Sequence, residues 1–191
     1  MTVTSPRPSV RFLVSRPAHF IALGAGSGLA PVAPGTIGTL WAWLVFVWLR
    51  AWLPQHTGAL HPDALMGLLI ALGVLVGWWA CSVTARDLGD PDPSSVVWDE
   101  VIAFWIVLWL IAPAGFFMQF AAFVLFRFFD ASKIGPVGWA DALFKPRASK
   151  TAEPPPLPRW NAVGWGIIFD DLVAALCTLL VIALLRFWAL T

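Results

Sequence analysis

Residues 64–85 are 22 in a row without one charged side chain, and no other feature limits the folding of this chain so strongly. As a helix the run rises about 33 Å at about 1.5 Å per residue, enough to cross a hydrocarbon core of about 30 Å. Nothing in that core hydrogen-bonds a bare backbone, so the segment must satisfy its own N–H and C=O groups, as a helix does. The rest of the chain agrees. Hydrophobic residues make up 59% of it and charged residues only 12%, about half the charged share of a soluble domain. The expectation is an all-α, polytopic membrane protein, folded as a single membrane-embedded domain over residues 1–191.

Polar knots divide the apolar runs. Residues 1–19 carry Arg7, Arg11 and Arg16 ahead of a short apolar piece. That piece is too brief for a signal peptide and reads as an interfacial lead-in. The prolines of residues 30–36 forbid a continuous helix, because each lacks an N–H and restricts the residue before it. A first membrane helix is expected over residues 37–53, with Thr36 capping its free N–H groups, and a loop over 54–63. Residues 64–85 form the second span, and residues 166–189 the last.

Residues 101–129 pose a choice. One helix would reach about 44 Å, too long for the core, whereas Pro113-Ala114-Gly115 would split it into a hairpin of two limbs of about 20 to 25 Å. Basic residues stay on the cytoplasmic side, and this decides. With a hairpin and a cytoplasmic N-terminus, ten of the twelve Lys and Arg lie inside, leaving Arg50 and Arg186 outside. About five membrane helices follow. Residues 144–163, with Pro146, Pro154, Pro155, Pro156 and Pro158, read as an extended cytoplasmic loop. The tryptophans, among them Trp41, Trp52, Trp98, Trp165 and Trp188, read mostly as interfacial anchors and lipid-facing bulk.

The same topology places every acid except Asp63 on the cytoplasmic side. Asp99 and Glu100 stand at the head of an apolar run, Asp130 near the end of the hairpin, and Asp170-Asp171 at the opening of the last helix. Charged groups near a bilayer are costly and mark function. Neighbouring helical residues point about 100° apart, so one member of each pair can reach a shared centre while the other turns to a second ligand or a basic partner. Carboxylates without histidine or cysteine favour a hard cation, Mg²⁺, Mn²⁺ or Ca²⁺ over zinc or copper, with a magnesium-like site ahead of zinc. His19, His56 and His61 are scattered, and Cys81 and Cys177 read as small hydrophobes.

An anion is the natural partner of the basic residues. Arg127, Asp130 and Lys133 are spaced three apart and share a face if the helix continues that far. Arg127 and Lys133 then either neutralise Asp130 or bind phosphate oxygens. Gly35-Thr36, at a helix N-terminus, offers a second anion-binding position. Together these parts read as a phosphate held against metal at a membrane surface, hence a lipid phosphate.

Four ordered motifs carry a family resemblance. They are residues 26–39 (GSGLAPVAPGTIGT), Val97-Trp98-Asp99-Glu100, Phe126-Arg127-Phe128-Phe129-Asp130 with Lys133, and residues 164–171 (GWGIIFDD). Over residues 20–176 or so the chain resembles the phosphatidylglycerophosphatase A family of bacterial magnesium-dependent enzymes, which convert phosphatidylglycerophosphate to phosphatidylglycerol. The family's usual Lys-Pro-x-Pro is Lys133-Ile134-Gly135-Pro136 here. The resemblance implies that Asp99, Glu100, Asp130, Asp170 and Asp171 bind Mg²⁺ or act in catalysis, with Asp99, Asp170 and Asp171 the catalytic candidates. It places Arg127 and Lys133 on the phosphate. Two mechanisms stay open, a carboxylate nucleophile such as Asp170 or metal-activated water. The expected partner is a phospholipid, with no nucleic acid and no obligatory protein partner, and the expected location is the bacterial inner membrane with the site facing the cytoplasm. The alternatives are another lipid phosphate, such as phosphatidic acid or a polyprenyl phosphate, or a small ion or proton transporter.

Overall fold

The computed structural model describes residues 7–56, 61–144 and 159–190, and among these every regular element is helical. Short helices α1 (Val10–Leu13) and α2 (Pro17–Ala22) and a 3₁₀ segment (Gly24–Leu29) lead into α3 (Pro34–His56) and α4 (Pro62–Leu88). Then come α5 (Trp98–Ile111), α6 (Phe116–Ser132), α7 (Pro136–Phe144) and α8 (Trp160–Leu190). Helices α3, α4 and α8 are long and apolar enough to cross a membrane. This marks a membrane protein, in keeping with the apolar composition.

Several boundaries move from those expected. Helix α3 starts at Pro34 rather than after Thr36, because proline suits the first helical position, where no N–H is needed. Thr36 is therefore inside the first turn and is not its cap. Pro54 lies within the last turn of α3, so the loop begins later than expected. The split at Pro113-Ala114-Gly115 is as read: α5 ends at Ile111 and α6 begins at Phe116. Helix α8 begins at Trp160, so residues 160–163 are helix and not loop, and Phe144 ends α7, an element the sequence reading missed. The remaining prolines of that loop, with Lys145, Arg147 and Lys150, lie outside the described residues.

Helix α5 is the axis of the bundle. Along it Val101, Ile102, Ala103, Phe104, Val107 and Leu108 are buried, packed by α3, α4, α6 and α8. An apolar residue on every side is what a central helix requires. Tryptophan nitrogens tie α5 to its neighbours. Trp105 Nε1 donates to the Ala42 carbonyl on α3 at 2.8 Å, and Trp98 Nε1 to the Gly73 carbonyl on α4 at 2.9 Å. Trp98 is thus a cross-helix donor rather than a lipid anchor, whereas Trp52, Trp165 and Trp188 do present exposed rings. At the far end Arg186 Nη2 of α8 donates to the Ile111 carbonyl at 3.1 Å, closing the C-terminus of α5.

The N-terminal segment docks on α4. His19 is 2% exposed; its Nε2 lies 3.0 Å from Asp87 Oδ2, which also accepts from Arg16 Nη1 at 2.9 Å. Close approach elsewhere depends on absent side chains, as is common where helix backbones touch. Gly164 of α8 faces α4, where a methyl group would meet the Ser82 side chain and lie 2.7 Å from the Trp78 carbonyl oxygen. By contrast Gly115, at the N-cap of α6, has open space around it, an ordinary φ of −70° and no side-chain cap. Gly164→Ala is expected to destabilise by about 1–3 kcal/mol through overpacking. Gly115→Ser gains a capping oxygen and is expected to hold or raise stability. Thermal midpoints in detergent, compared with the parent, check both.

Candidate functional site

Four helices bring their polar residues to one end of the bundle. Helix α5 supplies Asp99 and Glu100 in its first turn. The last turns of α6 supply Arg127 and Asp130, with Lys133 as its C-cap. Asp171 comes from α8 and Gly35 from the first turn of α3. Because α6 runs back alongside α5, the end of one meets the start of the other, and Arg127 Nη1 lies 3.6 Å from Glu100 Oε1. The same guanidinium pairs closely with Asp130.

The centre is a trio of acids. Asp99, Glu100 and Asp171 each offer a carboxylate oxygen, and these oxygens all lie within 4.8 Å of one another. Glu100 is 9% exposed and Asp171 3%. Asp99 Oδ1, Glu100 Oε2 and Asp171 Oδ2 are buried and have no hydrogen-bond partner. Buried polar atoms are nearly always satisfied, and like charges at this separation disfavour one another strongly. Three carboxylates this close together, each with an unsatisfied oxygen, could accommodate a cation, and the all-oxygen donor set suits a hard one.

A second cluster adjoins the first. Lys133 ends α6 in a left-handed conformation, φ 47° and ψ 38°, which turns its side chain away from the Arg127–Asp130 face. The shared face expected for Arg127, Asp130 and Lys133 is thus corrected: the helix stops at Ser132. Lys133 Nζ instead donates to Asp170 Oδ2 at 3.1 Å and pairs closely with Asp141 of α7. Partial burial alone would lower the pKa of this ammonium, but Asp141 and Asp170 outweigh it and the net shift is upward. Asp170 and Asp171 divide as the 100° rule anticipates, one to the lysine and one to the acid trio. Asp99 and Glu100 do not divide; both join the trio.

Asp170 and Asp171 are the eleventh and twelfth residues of α8 rather than its opening. About 15 Å of helix precedes Asp170. Two contributors escaped the sequence reading. Thr39, one turn along α3 and fully buried, is the threonine that meets Arg127, with Nη1 3.5 Å from its Oγ1. The i+4 spacing from Gly35, whose carbonyl accepts from Thr39 at 2.8 Å, was the available signal. Asp141 sits on the unforeseen α7, so nothing marked it. Gly35 lies beside the charges: a methyl group there would collide with Glu100 and stand 3.1 Å from Arg127 Nη2.

A family model described as Phosphatidylglycerophosphatase A matches residues 20–186, a stretch that holds every one of these polar side chains. The chain is similar to the phosphatidylglycerophosphatase A of Escherichia coli K12, 36% identical over 164 residues, covering 86% of this chain and 80% of that protein. It is 32% identical over 190 residues to that of Haemophilus influenzae, covering both chains in full. A Bacteroides thetaiotaomicron protein provisionally named a phosphatidylinositol-3-phosphatase is 34% identical over 170 residues, 87% of this chain and 91% of that one. No solved structure matches. The buried acid trio thus belongs to a phosphatase enzyme, and the chain is a member of the phosphatidylglycerophosphatase A family.

Proposed function

We propose that this enzyme removes the terminal phosphate of phosphatidylglycerophosphate, giving phosphatidylglycerol, at the cytoplasmic face of a bacterial inner membrane. The observation that carries the reading is the meeting of Asp99, Glu100 and Asp171 with three buried, unpartnered oxygens. The substrate follows from the names of the Escherichia coli and Haemophilus influenzae relatives. Mg²⁺ is the cation we assign to Asp99, Glu100 and Asp171, with Asp130 and Asp170 adjoining. Bound there, it supplies the positive charge that lets a dianionic phosphate approach the acids, and it polarises the phosphoryl oxygens.

The chain's own residues account for the remainder. Arg127 is braced on both sides by Glu100 and Asp130, while its Nε–H is buried and without a partner. A phosphate oxygen would satisfy that donor, which fits Arg127 to a phosphate-binding role. Gly35 leaves room beside the guanidinium that any side chain would fill. Lys133 uses two acids and has a third ammonium proton to offer. It also holds Asp170 in place, the carboxylate we assign to proton abstraction from water or to direct attack.

Helix lengths support a site at the membrane surface with five crossing helices. From residue 172 to the end of α8 at Leu190 is about 29 Å of helix, one hydrocarbon thickness, so Asp171 stands where that thickness begins. The tip of the α5–α6 hairpin reaches the level of Arg186, near the other end of α8. The two short limbs thus traverse nearly the depth that α8 does. A cytoplasmic N-terminus and the single-domain organisation accompany this reading. The name of the Bacteroides relative favours a second reading, the same chemistry on a different lipid phosphomonoester. Ion transport has no comparable support.

Purified protein in detergent is expected to release inorganic phosphate from phosphatidylglycerophosphate with Mg²⁺, to lose that activity in EDTA, and to prefer this lipid over phosphatidic acid and phosphatidylinositol 3-phosphate. Absence of release by folded protein with Mg²⁺ would sink the assignment. Asp99→Asn and Asp171→Asn are each expected to cost about a hundredfold or more in kcat, the scale of a lost electrostatic group in an active site, with the thermal midpoint held.

Lys133 yields a pH prediction. Its pKa is raised in the folded protein, so its stabilising contribution is complete below the unfolded value of about 10.4 and fades as pH rises through the higher folded value. The difference in thermal midpoint between wild type and Lys133→Met should therefore stay constant from about pH 7 to 9 and shrink above about pH 10.4. Thermal scans across that range test it.

A further inference from the structure

A phosphatase for a lipid must admit two unlike things at once. The phosphate needs the charged cluster, and the rest of the molecule must remain continuous with the bilayer. The site therefore needs an opening with both polar and apolar walls, and one of the clefts among the described residues combines the two beside Asp170. It lies between α7 and α8, has a volume of about 250 Å³, and ends on Asp92, Asp141 and Asp170. Its other walls are Pro91, Phe144, Val163, Gly166 and Ile167. Lys133, bridging Asp141 and Asp170, stands at the polar end.

Helix α7 is built for a lipid surface. Val137 and Ala140 are buried, and α7 packs chiefly on α8. On its outer side Trp139 is 61% exposed and Leu143 52%, and Ile134 just ahead of the helix is also exposed. A nine-residue helix with a tryptophan and leucine outward, next to a site that takes a lipid, fits the interfacial layer of a membrane. Its inner end is closed by Phe144, which meets Phe169 with ring centroids 5.5 Å apart and would collide with any side chain at position 166. Phe144 is thus a wall of the cleft, together with Val163 and Ile167 of α8.

We propose that the α7–α8 cleft is the subsite for the acyl-proximal part of the lipid phosphomonoester, the portion between its phosphate and its chains. The proposal rests on the phosphatase reading above and adds the path by which the lipid reaches Asp170 and Lys133. Apolar walls take the ester-linked carbons, Lys133 faces the phosphate, and α7 lies in the headgroup layer. The cleft then discriminates a lipid from a water-soluble phosphomonoester, which needs the charged end alone.

The test compares initial rates on dioleoyl phosphatidylglycerophosphate and on its deacylated, water-soluble counterpart, which keeps the phosphate and lacks the ester-linked carbons. Val163→Phe, which narrows the cleft, is expected to lower kcat/KM for the dioleoyl lipid about tenfold through KM, the scale of one misfit in an apolar pocket. The deacylated phosphomonoester should change less than about twofold by the same argument. Phe144→Ala, on a partly exposed side chain, should also shift the ratio of the two kcat/KM values. If Val163→Phe loses both substrates equally, Phe144→Ala decides: a shifted ratio upholds the subsite, and an unchanged ratio overturns it. Unchanged ratios in both variants overturn it with the phosphatase reading intact. Wild-type protein that releases phosphate from neither substrate overturns the phosphatase reading and the subsite with it.

Discussion

Three carboxylates, Asp99, Glu100 and Asp171, meet inside a helical bundle with the Arg127–Asp130 pair beside Glu100, and the rest of the structure serves to hold them there. Each buried anion loses its water, and each repels the others in surroundings where charge is poorly screened. Arg127 answers Glu100 and Asp130 directly. The trio of Asp99, Glu100 and Asp171 keeps three oxygens unanswered. A fold does not drift into such a state, because the same helices packed with apolar residues there would be more stable. The packing that overrides this cost is the apolar contact along α5, whose buried face runs from Val101 to Ile111. Function and stability are thus placed on one helix, acids at its first turn and core beyond.

That division explains why the helices differ so much in length. Helices α3, α4 and α8 are membrane-length, whereas α5 and α6 are 14 and 17 residues. A short central helix whose start meets the end of the next one puts Glu100 against Arg127. A full-length α5 would carry its partner's end away from the acids. The far end of α5 is closed by Arg186 reaching down from α8, which lets the hairpin stop short without leaving the Ile111 carbonyl bare in an apolar setting. On the site side, small residues let backbones close in: Gly35 on the Glu100–Arg127 pair, Gly164 on α4.

Much of this was legible in the chain. Long uncharged runs dictate helices, Pro113-Ala114-Gly115 dictates the break, and the paired acids Asp99-Glu100 and Asp170-Asp171 stand out beside apolar runs, at the end of the bundle where the structure gathers them. What sequence did not reveal has a common cause. The left-handed turn at Lys133 sends that side chain to Asp141 and Asp170 instead of Asp130, and no local pattern distinguishes a lysine that continues a helix from one that ends it. Helix α7 is nine residues long, too short for a hydrophobic period to stand out. Trp98 looked like an interfacial anchor because composition records a ring, not the Gly73 carbonyl that its nitrogen meets.

The division of labour between Asp170 and Asp171 is the step that neither the motif nor the fold alone provides. They are adjacent in sequence, yet Asp171 faces the buried trio and Asp170 faces Lys133 at the polar end of the α7–α8 cleft. On the proposed reading, one turns to the place where a cation would be held and the other to the place from which a substrate would come. Helical geometry permits this, since adjacent side chains diverge by about 100°, and the Lys133 ammonium fixes it by drawing Asp170 outward. A pair of acids on a helix thereby joins an inner charged centre to an outer amphipathic cleft, and α8 becomes the wall shared by both.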